Sequence, residues 1–406
     1  MIKILSNNEF SSAQQTFMCR AIALAKLGYY TTSPNPRVGC VIVKDDFIVG
    51  EGFHKKAGTG HAEVNALAQA GEQANGATAY VTLEPCSHYG RTPPCAEALI
   101  KAGISNVVIA MVDPNPQVSG NGIKLLEQAG INCKVGLLNS EAQALNIGFI
   151  KLMTEHLPYV RLKMATSLDG KTAMANGESK WITAADARKD VQRLRAQSCA
   201  LICGADSVIV DQAKMTVRHN DLGQLANNYP ADEIRQPVRV VIDSQCRLTP
   251  ELALFNHYSP IIIVRGEQAI QTKNRETENP LYITKSSNEK SLEKGQHWPH
   301  FVEQVSLPLT KSNKVDLKAL LALLADRGFN DVLIESGACL AGAFVEQNLV
   351  DELILYQAPK LMGGKAKSML MMPNLEHLAD AKKLTISETS MIGEDIRIVA
   401  NFTYKK

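Results

Sequence analysis

The spacing of apolar and polar positions switches between a helical and a strand period along this chain. Residues 11–27 follow the helical one, with Phe17, Ala21 and Leu24 on one face and Gly28 after them. Ser33-Pro34-Asn35-Pro36-Arg37 then forms a proline-fixed loop, and the apolar run 38–43 predicts a buried strand. Residues 61–70 predict a helix rich in Ala and Leu, 79–83 a strand, and 96–102 a helix opened by Cys95 and stopped by Gly103. A strand at 107–112, a loop dense in turn residues from Asp113 to Gly122, a helix at 123–129 and a short strand at 133–136 follow. Alternation of this kind implies a three-layer α/β domain.

A helix-like run ends at His156-Leu157-Pro158, because a proline disfavours helix at the residue before it. The expected domains are therefore 1–156 and 157–406. The second opens with a strand at 159–165. Ser167-Leu168-Asp169-Gly170-Lys171 carries Asp-Gly, a strong hairpin signal. Thr183-Ala184-Ala185-Asp186 resembles a capping box with Asp in the Glu position, and its helix should reach Ser198. Strands at 200–203, 238–242, 261–264, 332–334 and 352–356 make this a second α/β domain. Residues 265–315 are polar throughout and predict a long excursion without assigned elements.

Composition narrows the class of function. A net charge of +2 over 406 residues lacks the basic excess of a nucleic-acid binder. An aromatic fraction of 5% is low for base-stacking platforms. The start, Met1 to Phe10, is polar and has no signal-peptide core, and no apolar run approaches the ~18 residues of a membrane span. Nine irregularly spaced cysteines, an odd number, fit a reducing cytoplasm. No nucleic acid and no membrane is expected as a partner, and the chain is expected to associate with copies of itself as a dimer or tetramer.

The chemistry is concentrated between residues 61 and 95. His61-Ala62-Glu63, then Pro85-Cys86, then Cys95 eight residues further on, supply one imidazole, two thiolates and an acid. Catalytic zinc takes three protein ligands and leaves a position for water, which it makes acidic enough to act as a nucleophile near neutral pH. His61, Cys86 and Cys95 are the expected ligands. Glu63 is the expected proton carrier between water, ring nitrogen and departing amine. The order H-x-E then P-C and Cys is that of zinc nucleobase deaminases, with a longer gap between the cysteines. Gly90, Pro93 and Pro94 favour a turn within that gap. Asn35, held between two prolines, is either a substrate contact or an ordinary loop residue, and so is His88 in the cysteine loop.

In the second half, 332–344 reads as strand, small-residue turn and helix. Such a turn either admits a phosphate to backbone amides or holds glycine only for packing. Glu335 stands at the strand's carboxyl end, where α/β sheets place ligands. Arg195 and Arg218 are either phosphate grips or solvated charges.

Taken together, the chain resembles the bifunctional deaminase–reductase family of riboflavin biosynthesis from about residue 14 onward. The N-terminal motifs are Pro34-Asn35-Pro36, His61-Ala62-Glu63, Glu84-Pro85-Cys86 and Asp113-Pro114-Asn115-Pro116. The C-terminal ones include Leu162-Lys163-Met164-Ala165-Thr166-Ser167-Leu168-Asp169-Gly170, Gly177-Glu178-Ser179-Lys180-Trp181, Arg193-Leu194-Arg195, Ile242-Asp243-Ser244 and Glu335-Ser336-Gly337. The resemblance implies a cytidine-deaminase-like N-terminal domain with Zn2+ and a dihydrofolate-reductase-like C-terminal domain with NADPH. It implies cofactor contacts at Ala165, Trp181, Ser207, Asp211, Ser244, Gly337, Ala338, Cys339, Leu340, Ala341, Gly342 and Ala343. It implies substrate contacts at Ser179, Arg195, Met215, Arg218 and Glu335, beside Asn35. Ser207, Ala213 and Met215 stand where the family usually has Thr, Pro and Leu. The implied reactions are hydrolytic deamination of 2,5-diamino-6-ribosylamino-4(3H)-pyrimidinone 5′-phosphate, then reduction of the ribosyl group to ribityl. Alternatives are the same deaminase with a second domain that only binds or reduces another substrate, a nucleic-acid deaminase, and a metal-stabilised interaction protein.

Overall fold

The computed structural model describes residues 2–89, 93–116, 118–267 and 298–404. In the N-terminal half the elements run α1 (Ser12–Lys26), β1 (Gly39–Lys44), β2 (Phe47–Phe53), α2 (Ala62–Ala70), β3 (Thr78–Val81), α3 (Cys95–Lys101), β4 (Asn106–Ile109), α4 (Asn121–Gln128), β5 (Asn132–Val135), α5 (Asn139–Leu145) and α6 (Ile147–Glu155). The sheet order is β2-β1-β3-β4-β5, with β1 antiparallel to both neighbours and β3, β4 and β5 parallel. Side chains of a strand alternate between faces. Cys40 and Ile42 of β1 therefore meet Ala62 and Ala66 of α2, Leu99 of α3 and Leu126 of α4 in one core. Val41 and Val43 meet Met18, Ala21 and Leu24 of α1 and Leu145 of α5 in another. These are the three layers expected from the alternation. Gly39 is needed for the α1 contact, since a Cβ there would lie 2.0 Å from the Ala21 carbonyl oxygen.

The C-terminal half runs β6 (Tyr159–Ser167), β7 (Lys171–Ala173), α7 (Ala185–Gln197), β8 (Ala200–Gly204), α8 (Ala205–Asp211), α9 (Leu225–Asn228), β9 (Val238–Ile242), β10 (Ile261–Gly266), β11 (Val302–Leu307), α10 (Leu317–Asp326), β12 (Asp331–Glu335), α11 (Ala338–Glu346), β13 (Glu352–Ala358), β14 (Lys367–Ser368), β15 (Leu384–Ile392) and β16 (Asp395–Phe402). A nine-stranded sheet has the order β11-β10-β9-β8-β12-β6-β13-β16-β15. It is parallel up to β13, and β16 and β15 add antiparallel at the far edge. Leu320 and Leu324 of α10 and Phe344 of α11 cover one face through Val160, Leu162, Ile202, Val332 and Ile334. Leu201, Cys203, Val241 and Leu333 point to the opposite face. Among the described residues no helix is long and apolar enough to cross a membrane.

Three expectations are corrected. The Asp169-Gly170 turn forms, but β7 does not pair with β6. Both sides of β6 are taken by β12 and β13, so β7 pairs antiparallel with β14. The Asp169 carboxylate holds that arrangement, accepting from Ser167 Oγ at 2.5 Å and from the backbone N–H of Met362 at 3.0 Å and Gly363 at 2.8 Å. These bonds, Ser167 first, hold its carboxyl down at about 2. Second, Ala184 rather than Thr183 caps α7. Its N–H donates at 2.7 Å to Asp395, a residue distant in sequence that no local motif announces. Third, the polar stretch 265–315 holds β11 and the end of β10, while 268–297 of it lies outside the described residues. β2, β15 and β16 also went unpredicted. β15 is exposed along most of its length, so its sequence carries no alternation to detect.

Candidate functional site

The first site forms where two helices begin. His61 is the N-cap residue of α2, with an extended backbone at φ −72° and ψ 168°. Cys95 opens α3, and Cys86 lies in the segment between β3 and α3. His61 Nδ1 stands 3.1 Å from Cys95 Sγ and 3.6 Å from Cys86 Sγ, and the Cys95 N–H donates to Cys86 Sγ at 3.2 Å. The three ligand atoms all lie within 4.8 Å of one another, and the cysteines are free thiols. Tetrahedral zinc, with Zn–S about 2.3 Å and Zn–N about 2.0 Å, needs its ligand atoms roughly 3.5 Å apart. The donor set and its spacing fit that ion. Hydrogen bonding by Cys95, and then by His61, holds the Cys86 thiol down at about 4. It is already suited to act as a thiolate ligand.

Glu63 follows in the first turn of α2 and is 3% exposed. It is not part of the three-residue cluster. Burial pushes its carboxyl up to about 7, which is where a proton carrier is useful, while a bound cation acts in the opposite direction.

Two further residues complete this site, and neither was singled out for a role from the sequence. Glu84, also 3% exposed, accepts from the N–H groups of Gly122 at 2.9 Å, Gly120 at 3.0 Å, Asp113 at 3.1 Å and Ile123 at 3.3 Å. One carboxylate thus ties the Asp113–Gly122 loop and the start of α4 to the Pro85-Cys86 strand end. A Cβ at Gly122 would sit 2.0 Å from the Pro85 carbonyl oxygen, so that contact is backbone on backbone. His54 packs edge-on to His61 with ring centroids 5.3 Å apart. Its Nδ1 lies 3.2 Å from the Gly60 carbonyl oxygen, so that nitrogen carries the proton, and Nε2 accepts from Asn35 Nδ2 at 3.1 Å. The amide oxygen of Asn35 is thereby turned away from His54. A lone His seven residues before the motif gave no sequence signal, and Glu84 looked like part of a signature rather than a brace. His88 is exposed.

We expect Glu84→Gln to fold but to bind zinc about 10–100-fold more weakly, the usual effect of removing an outer-sphere brace. Zinc per chain after dialysis against a graded chelator measures this, and unchanged retention would contradict the bracing role.

The second site lies at the carboxyl edge of the nine-stranded sheet. Because β9, β8, β12 and β6 are neighbours, Ser244, Ser207, the Gly337–Leu340 turn and Ala165 fall along one edge. Gly337 is the N-cap of α11, exposed, with nothing within 4 Å of a Cβ built there. Ser336 Oγ and Thr166 Oγ1 are buried at this edge without a hydrogen-bond partner. Unpaired buried hydroxyls at a helix start suit the polar groups of a dinucleotide. Two expected contacts turn inward instead. Ala341 is fully buried, and a Cβ at Gly342 would lie 2.0 Å from the Met371 carbonyl oxygen. Within the small-residue turn Gly337 is open and Gly342 is packed. Lys180 ties the Ser179–Trp181 segment to α8, donating to the Asp211 carbonyl oxygen at 3.0 Å. Trp181 is 65% exposed, with the Arg188 guanidinium 4.5 Å from its ring centroid.

On the face of β6 and β12 opposite the main core, Arg195 grips Glu335 through both carboxylate oxygens at 2.6 and 2.9 Å and donates to the Thr216 carbonyl oxygen at 2.9 Å. Arg195 is thus buried and paired rather than solvated. Lys163, paired in register with Glu335, sits beside them, and burial lowers its ammonium pKa. It is a polar group of this cleft that the motif reading passed over. Arg218 is exposed and bound to Asp221 at 2.5 Å. Met215 is 5% exposed and packs in the second core with Val208 and Leu248.

Comparison with known proteins gives the family of both halves. Residues 158–398 match the family described as RibD C-terminal domain. Residues 11–111 match the cytidine and deoxycytidylate deaminase zinc-binding region. The riboflavin biosynthesis protein RibD of Haemophilus influenzae is 50% identical over 96% of this chain and 98% of its own length. That of Escherichia coli is 47% identical over 94% and 97%. The solved structure of Acinetobacter baumannii RibD superposes with a TM-score of 0.82 at 42% identity, covering 97% of this chain and 99% of that one. A Thermotoga maritima diaminohydroxyphosphoribosylaminopyrimidine deaminase/5-amino-6-(5-phosphoribosylamino)uracil reductase gives 0.78 at 31%, covering 96% and 99%. With its zinc-type cluster in the first sheet's domain and a reductase-type cleft in the second, the chain belongs to the RibD family of bifunctional riboflavin biosynthesis proteins.

Proposed function

We propose that the chain deaminates 2,5-diamino-6-ribosylamino-4(3H)-pyrimidinone 5′-phosphate and then reduces its ribosyl group, giving 5-amino-6-(5-phosphoribitylamino)uracil. The observation that carries this reading is the convergence of His61, Cys86 and Cys95 beside buried Glu63. Bound zinc supplies an activated water at neutral pH. His61, Cys86 and Cys95 hold the metal, and Glu63 carries a proton to the ring nitrogen and then to the departing amine. Asn35, oriented by His54, accepts a hydrogen bond from the pyrimidine. In the second site bound NADPH supplies hydride to C1′. Ser207, Ser244, Ala165, Trp181, Asp211 and the open turn at Gly337–Leu340 seat the dinucleotide. Arg195 and Arg218 hold the ribose phosphate, guanidinium being well suited to phosphate, and Ser179, Met215 and Glu335 are the further substrate contacts.

The deaminase unit takes residues 1–156 and the reductase unit 157–406. The protein works in the cytoplasm as a dimer or tetramer, on small molecules and without nucleic acid. Mass analysis of products tests the reading. Without NADPH the substrate should exchange one amino group for oxygen, and with NADPH it should also gain two hydrogens. Reduction without prior deamination, or neither change, would contradict it.

A further inference from the structure

Asn35 belongs to a segment that the other domain holds. From Leu27 to Arg37 the chain runs along the C-terminal domain and touches it repeatedly. Tyr229 Oη donates to the Leu27 carbonyl oxygen at 2.7 Å, and its ring meets Tyr30 edge-on at 5.3 Å. Ser33 Oγ lies 2.9 Å from Cys199 Sγ. Asn330 closes the contact. Its Nδ2 donates to the Pro34 carbonyl oxygen at 2.7 Å, and its Oδ1 accepts from Cys199 Sγ at 3.1 Å. Ser33, Cys199 and Asn330 are 6%, 1% and 5% exposed, so the bonds among them are buried, and the bond from Asn330 to the Pro34 carbonyl is part-buried.

The anchor is itself rigid. The Asn330 carbonyl oxygen accepts from the Tyr159 N–H at 3.0 Å, at the start of β6. A Cβ at Gly148 of α6 would lie 2.3 Å from that same oxygen, so α6 and the backbone before β12 are in direct contact. Pro34 directly precedes Asn35. Moving its carbonyl moves the Asn35 amide against His54, which in turn packs on the ligand His61.

We infer that Asn330, seconded by Cys199, is a positioning residue for deamination, acting from the reductase domain through the Ser33-Pro34 backbone on Asn35. The first domain's substrate site is then complete only when the second domain is docked. β12 connects the two sites physically. Asn330 precedes it and Glu335 ends it, and at about 3.3 Å per residue they lie roughly 17 Å apart along one strand. This inference rests on the reading of Asn35 as a substrate contact.

The test is steady-state kinetics of the full-length zinc-loaded enzyme. Asn330→Ala should raise the deamination KM about tenfold, the size expected for one lost buried hydrogen bond. Zinc content, and reduction of already deaminated substrate, should stay within about twofold. Cys199→Ser keeps the hydrogen bonds and should match the parent, whereas Cys199→Val should share the defect. In an Asn35→Ala background the Asn330→Ala effect should vanish, because the route through Asn35 is gone. An unchanged KM, equal loss in both half-reactions, or an effect additive with Asn35→Ala overturns the inference. If Asn35→Ala alone leaves the KM unchanged, the substrate role of Asn35 falls and the inference with it. If Asn35→Ala raises it and Asn330→Ala does not, only the inference falls. Should Asn330→Ala not fold, Asn330→Asp takes its place, since it keeps the size and the acceptor for Cys199 and sets an acceptor against the Pro34 carbonyl where the donor was.

Discussion

Glu63→Gln is expected to reduce ammonia release by about 10²–10⁴-fold, the range for loss of a positioned proton carrier. The amide keeps the size of the side chain, which matters at a site only 3% exposed. It removes the capacity to take up and return a proton. Zinc should remain bound, because the metal-type cluster consists of His61, Cys86 and Cys95 without Glu63. NADPH oxidation on deaminated substrate should continue, since the second site lies on a different sheet. Zinc per chain, ammonia and NADPH absorbance, measured on one preparation, check the three parts together. Deamination at the parent rate, or loss of zinc in this variant, would show that Glu63 has another role.

Arg195→Ala should damage the reductase in two ways, of which only the first was evident before the fold was known. Loss of a guanidinium from the cleft should raise the KM for the ribose phosphate at least tenfold, a modest figure for a charge-assisted contact. The second effect is on stability. Removing Arg195 strands the Glu335 carboxylate, whose two oxygens it held at 2.6 and 2.9 Å, and breaking a buried pair costs about 3–5 kcal/mol. In the parent, burial alone would raise the Glu335 pKa, but Arg195 outweighs it and the value falls below the ordinary 4.5. The pair therefore stabilises the fold above that pH and is lost only as pH falls through the lowered value. In Arg195→Ala the two largest lowering causes are gone and burial is opposed only by the charges of Lys163 and Arg218, so the Glu335 pKa rises and the carboxylate is less well tolerated. The variant should be destabilised most at neutral pH, and the gap in Tm should narrow as pH falls toward 4.5. A gap independent of pH would contradict this account of Glu335. Deamination kinetics serve as the control and should not move.

The zinc cluster was fully legible in the sequence because its parts are local. His61 and Cys95 sit at helix starts that the pattern predicts, Cys86 lies in the segment before the second of them, and the intervening strand is short. The parallel strands of both sheets other than β11 were legible for a similar reason, since buried parallel strands read as continuous apolar runs. What stayed hidden depends on contacts distant along the chain. Asp395 caps α7, Glu84 braces a loop some thirty residues on, and Asn330 reaches Pro34 across the whole chain. Exposed edge strands such as β15 carry no pattern at all. Motif resemblance pointed to the turn at 337–343 as a cofactor contact. It could not tell that within one turn Gly337 opens outward and Gly342 packs against Met371.

The central claim is that one chain carries two successive reactions at two sites, the first of which needs the metal that His61, Cys86 and Cys95 hold. Its most direct test supplies the pyrimidinone phosphate to zinc-loaded and chelator-stripped enzyme and follows ammonia and NADPH separately. Stripping should stop ammonia release, added zinc should restore it, and NADPH oxidation on deaminated substrate should be unaffected throughout. Ammonia release at full rate from protein verified to contain no metal would contradict the account.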